Sequence, residues 1–306
     1  MRIPLSAGAL LLLASAVNMQ AQYNYTSFTV PGATSTYIYG ISGNDLTGVY
    51  YVPSGPYSFL YDGSTYTTLD VPGSQPISTV ANGVSGNNVV GYYDDGTENQ
   101  GFLYDGSTYT TLTVPGSIQT FARGVDGNNV VGNYVDSMGN DQSFLYDGTG
   151  YTTLNVPGAQ AGSTVAQGIS GNDIVGYYND SLGNTYGFLY DGSSYTTISV
   201  PGSVQITYAN AISGNDILGS YYDGSTFHDY LYDGSTYTTI SVPGAIVTQV
   251  TGISDGTIAG WYQTPEGDTL GFLATPVPEP SVWALAGLGA VVLWRRRRLK
   301  RLPQSV

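Results

Sequence analysis

Short apolar stretches alternate with polar turns along most of this chain, and one pattern of alternation returns at a regular distance. A copy contains Gly-Ile-Ser-Gly-Asn-Asp, then Ile-Val-Gly-Tyr-Tyr, Phe-Leu-Tyr-Asp-Gly and Tyr-Thr-Thr-Leu, each with variants, before Val-Pro-Gly. Short stretches rich in β-branched and aromatic residues, separated by turns with Gly and Asn, predict β-strands joined by tight hairpins. The Val-Pro-Gly copies are 41 to 44 residues apart and begin at Val30, Val71, Val114, Val156, Val200 and Val242.

Each copy predicts four strands, which in the second copy cover 79–85, 88–93, 101–104 and 109–114. Four strands in a repeat of this length are typical of one blade of a β-propeller. We therefore predict an all-β fold, a six-bladed β-propeller of four-stranded repeats. An open solenoid of the same repeats is the alternative.

The ends of the repeat region favour a closed ring. Residues 25–32 have the pattern of a fourth strand without the first three, and 271–274 that of a third strand without its fourth. The N-terminal strand would complete the last blade and remove its free edge. An open solenoid would not need complementary ends.

The C-terminal segment has a different pattern, a short Pro-Glu motif followed by the apolar residues 281–294 and a basic cluster. This order resembles the sorting signal of bacterial PEP-CTERM proteins, and the resemblance implies export and processing by an exosortase. The apolar residues would form a transient transmembrane helix, with the basic cluster held in the cytoplasm. The motif is Val277, Pro278, Glu279 and Pro280, and the cluster is Arg295, Arg296, Arg297 and Arg298.

The other end of the chain is also predicted to be a targeting segment. Residues 1–21 carry Arg2, an apolar stretch and small residues, as a secretory signal peptide does. We therefore divide the chain into a signal peptide (1–21), a propeller domain (22–276) and a sorting signal (277–306). The expected location is the inner membrane at first, then the cell surface or extracellular matrix of a Gram-negative bacterium.

The repeat itself carries a second resemblance. The sequence Gly-Ile-Ser-Gly-Asn-Asp-Ile-Val-Gly-Tyr-Tyr at 168–178 is similar to the HAF-type extracellular repeats. This resemblance implies an exported repeat protein and brings no assigned activity.

The charge of the exported domain excludes several classes of partner. Arg123 is the single basic residue of 22–276 against 21 acidic residues, which gives a formal charge of −20. Binding of nucleic acid needs clustered Lys and Arg, so it is not predicted. The chain has no cysteine and one histidine, His228, so neither disulfides nor a histidine-rich metal site is available.

Candidate ligand-binding residues follow from position within the repeat. Three acidic residues after the first strand of a copy would lie near the propeller axis, although a role in their own turns is favoured. Two aromatic residues near the loop between the second and third strands could stack on sugar rings. These candidates are Asp45, Asp173, Asp216, Tyr57 and Tyr186.

Two acidic loops offer oxygen ligands of the kind that Ca²⁺ prefers, without the spacing of a known calcium motif. Weak, solvated calcium contacts are the most that they indicate, and no cofactor is predicted. The loop residues are Asp94, Asp95, Glu98, Asp136 and Asp141.

No catalytic constellation stands out from the repeat, so we predict a non-catalytic surface or matrix protein that binds exopolysaccharide or other surface glycans. Besides glycan, the expected partners are the exosortase, the secretion machinery and, through the C-terminal segment, the membrane. The alternatives are a propeller hydrolase or lyase that acts on polysaccharide through paired carboxylates, and a structural spacer without a ligand.

Overall fold

The computed structural model describes residues 23–277, and the regular structure of this part consists of 24 β-strands. The predicted signal peptide and transmembrane segment lie outside the described residues, and within these residues no helix has the length and apolarity to cross a membrane. The strands are β1 Tyr23–Phe28, β2 Ser35–Ser42, β3 Asp45–Val52, β4 Gly55–Tyr61, β5 Tyr66–Leu69, β6 Val80–Ser85, β7 Asn88–Asp94, β8 Asn99–Tyr104, β9 Tyr109–Leu112, β10 Ser117–Asp126, β11 Asn129–Asp136, β12 Asp141–Tyr146, β13 Tyr151–Leu154, β14 Val165–Ser170, β15 Asp173–Asn179, β16 Thr185–Tyr190, β17 Tyr195–Ile198, β18 Thr207–Ser213, β19 Asp216–Tyr222, β20 Phe227–Tyr232, β21 Tyr237–Ile240, β22 Val247–Ser254, β23 Thr257–Gln263 and β24 Thr269–Pro276.

The strands form antiparallel units of four. Units one to five are β2–β5, β6–β9, β10–β13, β14–β17 and β18–β21, and unit six is β22–β24 with β1 as its outer strand. Units one and six share one parallel pair, Ser35 with Thr269, and therefore count as a single eight-stranded sheet. A lone parallel bridge of the same kind joins Thr185 to Ile206.

The units are arranged in a ring. The first strand of each unit packs against the first strand of the next, in the order β2, β6, β10, β14, β18, β22, and β22 packs against β2. Sheets that surround a common axis through their first strands make a β-propeller. The prediction of an all-β propeller is therefore confirmed.

The N-terminal strand lies where the sequence predicts it. β1 pairs antiparallel with β24 from Tyr23–Pro276 to Phe28–Gly271. After β1, the N–H of Val30 donates to the hydroxyl of Thr36 at the start of unit one (3.1 Å). The first segment of the described chain thus holds the last unit to the first.

Strand ends differ in detail from the predicted ones in the second copy. Its last strand, β9, ends at Leu112 rather than at residue 114. The reason is that the N–H of Val114 leaves the sheet and donates to the Thr120 hydroxyl of the next unit (3.2 Å). In every copy the N–H of the Val in Val-Pro-Gly donates in the same way to a threonine hydroxyl in or just before the first strand of the next unit. These threonines are Thr36, Thr79, Thr120, Thr164, Thr207 and Thr248.

The core is divided into clusters that each lie between two neighbouring units. The cluster that includes Val30, Ile38, Phe59 and Ala259 joins unit six to unit one, as the other clusters join their neighbours. Burial of apolar surface between sheets is therefore what holds the ring together. One aromatic residue of the third strand is fully buried in each copy, namely Phe59, Phe102, Phe144, Phe188, Tyr230 and Phe272.

Glycine in the second strand makes room for this aromatic ring. A Cβ on Gly91 would overlap the carbonyl oxygen of Val80 and lie 2.8 Å from the ring of Phe102. Any side chain there would separate β6 from β7 or displace the phenylalanine, because interiors are close-packed. The Gly of Val-Gly-Tyr-Tyr is therefore a packing requirement of the blade.

Removal of the closing strand tests the ring directly. Deletion of 23–32 removes the β1–β24 ladder and the bond of Val30 to Thr36, and leaves the third strand of unit six as an edge. At about 1 kcal/mol for each lost backbone hydrogen bond, we expect the melting temperature to fall by about 10 °C or more. The measurement is thermal unfolding followed by circular dichroism. The exposed Thr26→Ala, which keeps the ladder, is the matched control, and an unchanged melting temperature after the deletion would contradict closure by β1.

A buried carboxyl in unit five gives a second prediction. Asp229 is 4% exposed and stands where units one and three have Ser58 and Ser143. Its carboxylate accepts the N–H of Val250 (3.2 Å), as the serine hydroxyls accept the equivalent N–H groups. Burial raises the pKa of Asp229 well above its usual value, against a smaller lowering by that hydrogen bond.

Because the folded-state pKa of Asp229 is raised, the stability of the fold decreases as pH rises above the carboxyl pKa of the unfolded chain. We expect Asp229→Ser to raise the melting temperature near pH 7 by about 5 °C, which corresponds to about 2 kcal/mol, with the difference shrinking near pH 4. The exposed Asp268→Ser is the control. A gain that does not depend on pH would show that the carboxyl charge is not its cause.

Candidate functional site

The axial channel contains a cavity that is bounded by described residues. The cavity measures about 480 Å³ and is lined by residues of all six units. Tyr51 and Pro56 place its mouth at the turns between second and third strands, and a narrower space of about 80 Å³ continues inward along the first strands. A ring of inward-pointing residues lines both spaces.

This ring, which we call the bulge ring, comes from one irregularity repeated in every unit. The first strand skips one residue in its pairing with the second strand, and the skipped residue lines the channel. A β-bulge re-aims a side chain in this way. The bulge ring is Tyr39, Asn82, Arg123, Gln167, Asn210 and Thr251.

The residue after the bulge explains how closely the inner strands approach. A Cβ on Gly40 would lie 2.6 Å from the carbonyl oxygen of Asn82, and one on Gly83 would lie 2.8 Å from that of Arg123. Neighbouring first strands therefore touch through their backbones at this level. The bulge residue is left to project into the channel, where its side chain is free to differ between copies.

Two members of the bulge ring bond to the neighbouring unit. The Asn82 amide donates to the carbonyl oxygen of Ala122 (2.8 Å), and the Thr251 hydroxyl donates to that of Ile38 (2.8 Å). Within residues 23–277, no hydrogen bond is made by the side chains of Tyr39, Gln167 or Asn210, which leaves these polar groups available to a ligand.

The Arg123 guanidinium makes a hydrogen bond through one of its three nitrogens. Its Nε donates to Oδ1 of Asn133 (2.7 Å), and the Asn133 amide donates to Oδ1 of Asp141 (3.1 Å). In the described part of the chain, the single ion pair is His228 with Asp223, so no carboxylate contacts the guanidinium. Burial lowers the pKa of Arg123 from its usual value, while Tyr177, Tyr92 and Asp141 act to raise it. An arginine remains charged in such surroundings.

Tyrosines form much of the cavity wall. Burial, with smaller effects of Tyr51, Tyr92 and Tyr37, raises the pKa of Tyr39 to about 12, so its hydroxyl stays neutral and able to donate. Tyr92 lines the wall and packs edge-on against Phe121 (ring centroids 5.0 Å).

Aromatic contacts between neighbouring units recur with a period of two units. Edge-on aromatic pairs join units six and one, two and three, and four and five, at centroid distances of 4.9 to 5.2 Å. Arg123 and its acceptor Asn133 belong to unit three, whose second strand has no aromatic residue at the equivalent position. The three pairs are Tyr37 with Trp261, Tyr92 with Phe121, and Tyr177 with Tyr208.

The acidic candidates from the sequence lie in hairpin turns outside the bulge ring. Asp45 and Asp216 begin β3 and β19, and burial, followed by a neighbouring Asp, raises the pKa of both. Asp173 begins β15 and lines a separate cavity of about 240 Å³ between units four and five. The structure does not bring these three carboxyls together in one described cavity.

The acidic loops use their oxygens in their own turns. Oδ1 of Asp95 accepts the N–H groups of Thr97 and Glu98, and with the Thr97 hydroxyl they lower the pKa of Asp95 to about 2. Oδ1 of Asp136 accepts from the N–H of Asn140 (3.0 Å). Within 23–277, no group of three or more acidic or histidine side chains is placed to hold a metal ion.

The two aromatic candidates are partly buried beside the turns between second and third strands. Tyr57 stacks on Tyr50 (5.8 Å) and Tyr186 lies against Tyr178 (5.9 Å). His228 bonds through Nε2 to Asp223 (2.8 Å) beside a second cavity of about 480 Å³ between units five and six.

Sequence reasoning missed the bulge ring, although a signal was present. In the first strand, the residue before the Gly or Ala of each copy differs between most copies and always carries a polar group, as in Asn82-Gly83, Arg123-Gly124 and Gln167-Gly168. A variable polar position inside an otherwise repeated strand indicates a site rather than packing.

Comparisons with known proteins identify the tail and are consistent with the fold. Residues 276–298 match the model of the PEP-CTERM protein-sorting motif, which indicates an exported protein that is transiently anchored in the membrane. No curated protein matches the chain. Among solved structures, the Aleuria aurantia lectin, which has a six-bladed β-propeller fold and a novel fucose recognition mode, is 15% identical, with 85% of this chain and 98% of that chain covered and a TM-score of 0.49.

Two further structures are similar at the same level. SapL1 lectin in complex with α-methyl fucoside is 16% identical, covering 81% of this chain and 98% of that chain, with a TM-score of 0.48. Trypanosoma rangeli sialidase is 10% identical, covering 94% and 59%, with a TM-score of 0.44. Both lectins and an enzyme are similar to the chain at this level, so these similarities do not indicate an activity.

Proposed function

We propose that this chain is an exported, exosortase-sorted protein of the bacterial surface or extracellular matrix, and that its propeller binds glycan without catalysis. We count the six units as six blades, because units one and six share a single residue pair. The HAF-type character of the repeat, a signal peptide at 1–21 and an association with exopolysaccharide belong to the same proposal.

The observation that carries the proposal is the axial cavity with its unengaged polar groups. Tyr39, Gln167 and Asn210 offer a hydroxyl and two amides without a protein partner in the described part of the chain. Amides and hydroxyls bond to sugar hydroxyls, and aromatic faces such as that of Tyr92 cover the apolar side of a sugar ring. The volume of about 480 Å³ suits a short oligosaccharide.

The proposal is tested by titration of the full chain in detergent with oligosaccharides from the exopolysaccharide of the producing organism, with and without Ca²⁺. We expect saturable binding in calorimetry and no shortening of the oligosaccharides on size-exclusion chromatography. Shortening would make the protein an enzyme, and loss of binding without Ca²⁺ would assign the acidic loops around Asp94 and Asp136 a role.

Two variants locate the site. Tyr92→Ala removes an aromatic wall of the cavity and should weaken binding about fivefold, because one stacking contact of this size is worth about 1 kcal/mol. Tyr186→Ala removes an aromatic ring beside the turn between the second and third strands of unit four, outside the axial cavity, and should leave binding unchanged. If Tyr186→Ala weakens binding and Tyr92→Ala does not, the ligand binds at Tyr186, one of the candidates from the sequence, and not in the axial cavity.

A further inference from the structure

We propose that the ligand of the axial cavity is an acidic sugar, whose carboxylate is bound by the guanidinium of Arg123. The inference rests on the proposed function and adds the chemical class of the ligand to it. Its basis is the placement of a single positive charge in an acidic domain.

The first argument is the distribution of charge. Residues 22–276 contain 21 acidic residues and one basic residue, and the basic residue lies in the cavity. None of the 21 acidic residues lines the cavity or its narrower continuation, among the residues that the structure describes. The cavity is thus the one place in this domain that attracts an anion, and low local dielectric strengthens the attraction.

The second argument is the orientation of the guanidinium. Asn133 accepts from Nε at 2.7 Å and is itself fixed by Asp141, so the side chain is held from behind. The two terminal nitrogens, Nη1 and Nη2, make no hydrogen bond to any described residue. They form a planar pair of donors, which matches the two oxygens of a carboxylate.

The third argument is that packing does not require an arginine here. The equivalent positions carry neutral residues, among them Gln167 in the next unit and Asn82 in the one before. The position of Asn133 is also free to vary, since the other units have Val49, Tyr92, Tyr177, Ser220 and Trp261 there. Unit three therefore combines a partly buried charge with the acceptor that orients it.

The net charge of the domain restricts the form of the ligand. A surface of formal charge −20 repels a long polyanion at low ionic strength, and screening removes this repulsion only beyond about 10 Å in 0.1 M salt. A single acidic residue at a chain end, or within a mostly neutral glycan, places one negative charge beside one guanidinium. A uronic acid in such a glycan has this chemistry.

The experiment compares sugars that differ only in the acidic group. The full chain is titrated by calorimetry with methyl glucuronoside and methyl glucoside, and with methyl galacturonoside and methyl galactoside. We expect one acidic sugar to bind at least tenfold more tightly than its neutral match. A third arm uses glucose 6-sulfate, and tighter binding of this sugar than of either uronoside would overturn the assignment to a carboxylate.

The variants use residues that the fold already accepts. Arg123→Gln reproduces the Gln167 of the next unit, and should abolish the preference for the acidic sugar with an unchanged melting temperature. Asn133→Ser, after the Ser220 of unit five, keeps the charge but frees Nε, and should reduce the preference several-fold. Met138→Ala, at a residue that is 81% exposed, is the control without effect.

The outcomes separate this inference from the function on which it rests. Equal binding of acidic and neutral sugars, with no effect of Arg123→Gln, would overturn the acidic ligand and leave glycan binding intact. Absence of binding by every sugar and by the exopolysaccharide fragments would overturn both.

Discussion

The pairing of β1 with β24 is the interaction on which the rest of this structure depends. Without it, unit six has three strands, and the threonine bond that joins Val30 to unit one is lost with the same segment. The axial cavity exists only in a closed ring, because its wall takes residues from all six units. Closure of the sheet ring and formation of the site are therefore one event. The chain separates the paired strands by nearly its whole folded length, so the pairing is a long-range contact with a high entropy cost of closure.

A ring of similar units leaves little freedom for a binding site, and the bulge in each first strand supplies it. The small residue after the bulge, glycine in five units and Ala211 in unit five, lets neighbouring backbones come together. The bulge residue projects into the channel and differs between units, although Asn82 and Thr251 also bond to the neighbouring unit. A change at this position can therefore alter the chemistry of the channel without altering the backbone contact between first strands.

Much of the fold could be predicted from the sequence, because the same pattern of strands and turns recurs along the chain. The complementary ends, residues 25–32 and 271–274, were sufficient to place β1 beside β24. The site was not predicted, because most of the candidates taken from the sequence were acidic residues. Asp95 and Asp136 recur in type because turns need them, and their oxygens are occupied by the N–H groups of those turns. The position of a bulge depends on register between two strands, which a residue pattern does not specify to within one residue.

Arg123 illustrates why a residue that departs from a repeat carries more information than one that conforms to it. In an average protein a lone arginine means little, but Arg123 is the single Lys or Arg beside 21 acidic residues in 22–276, and it stands in a position that glutamine or asparagine fills in other units. A partly buried charge loses some of its hydration, and within the described residues the one hydrogen bond that compensates the Arg123 guanidinium is to the side-chain oxygen of Asn133. The remaining donors face a cavity without carboxylates. An anionic ligand would complete this arrangement, whereas a purely structural role would be served equally well by the glutamine that the next unit already uses.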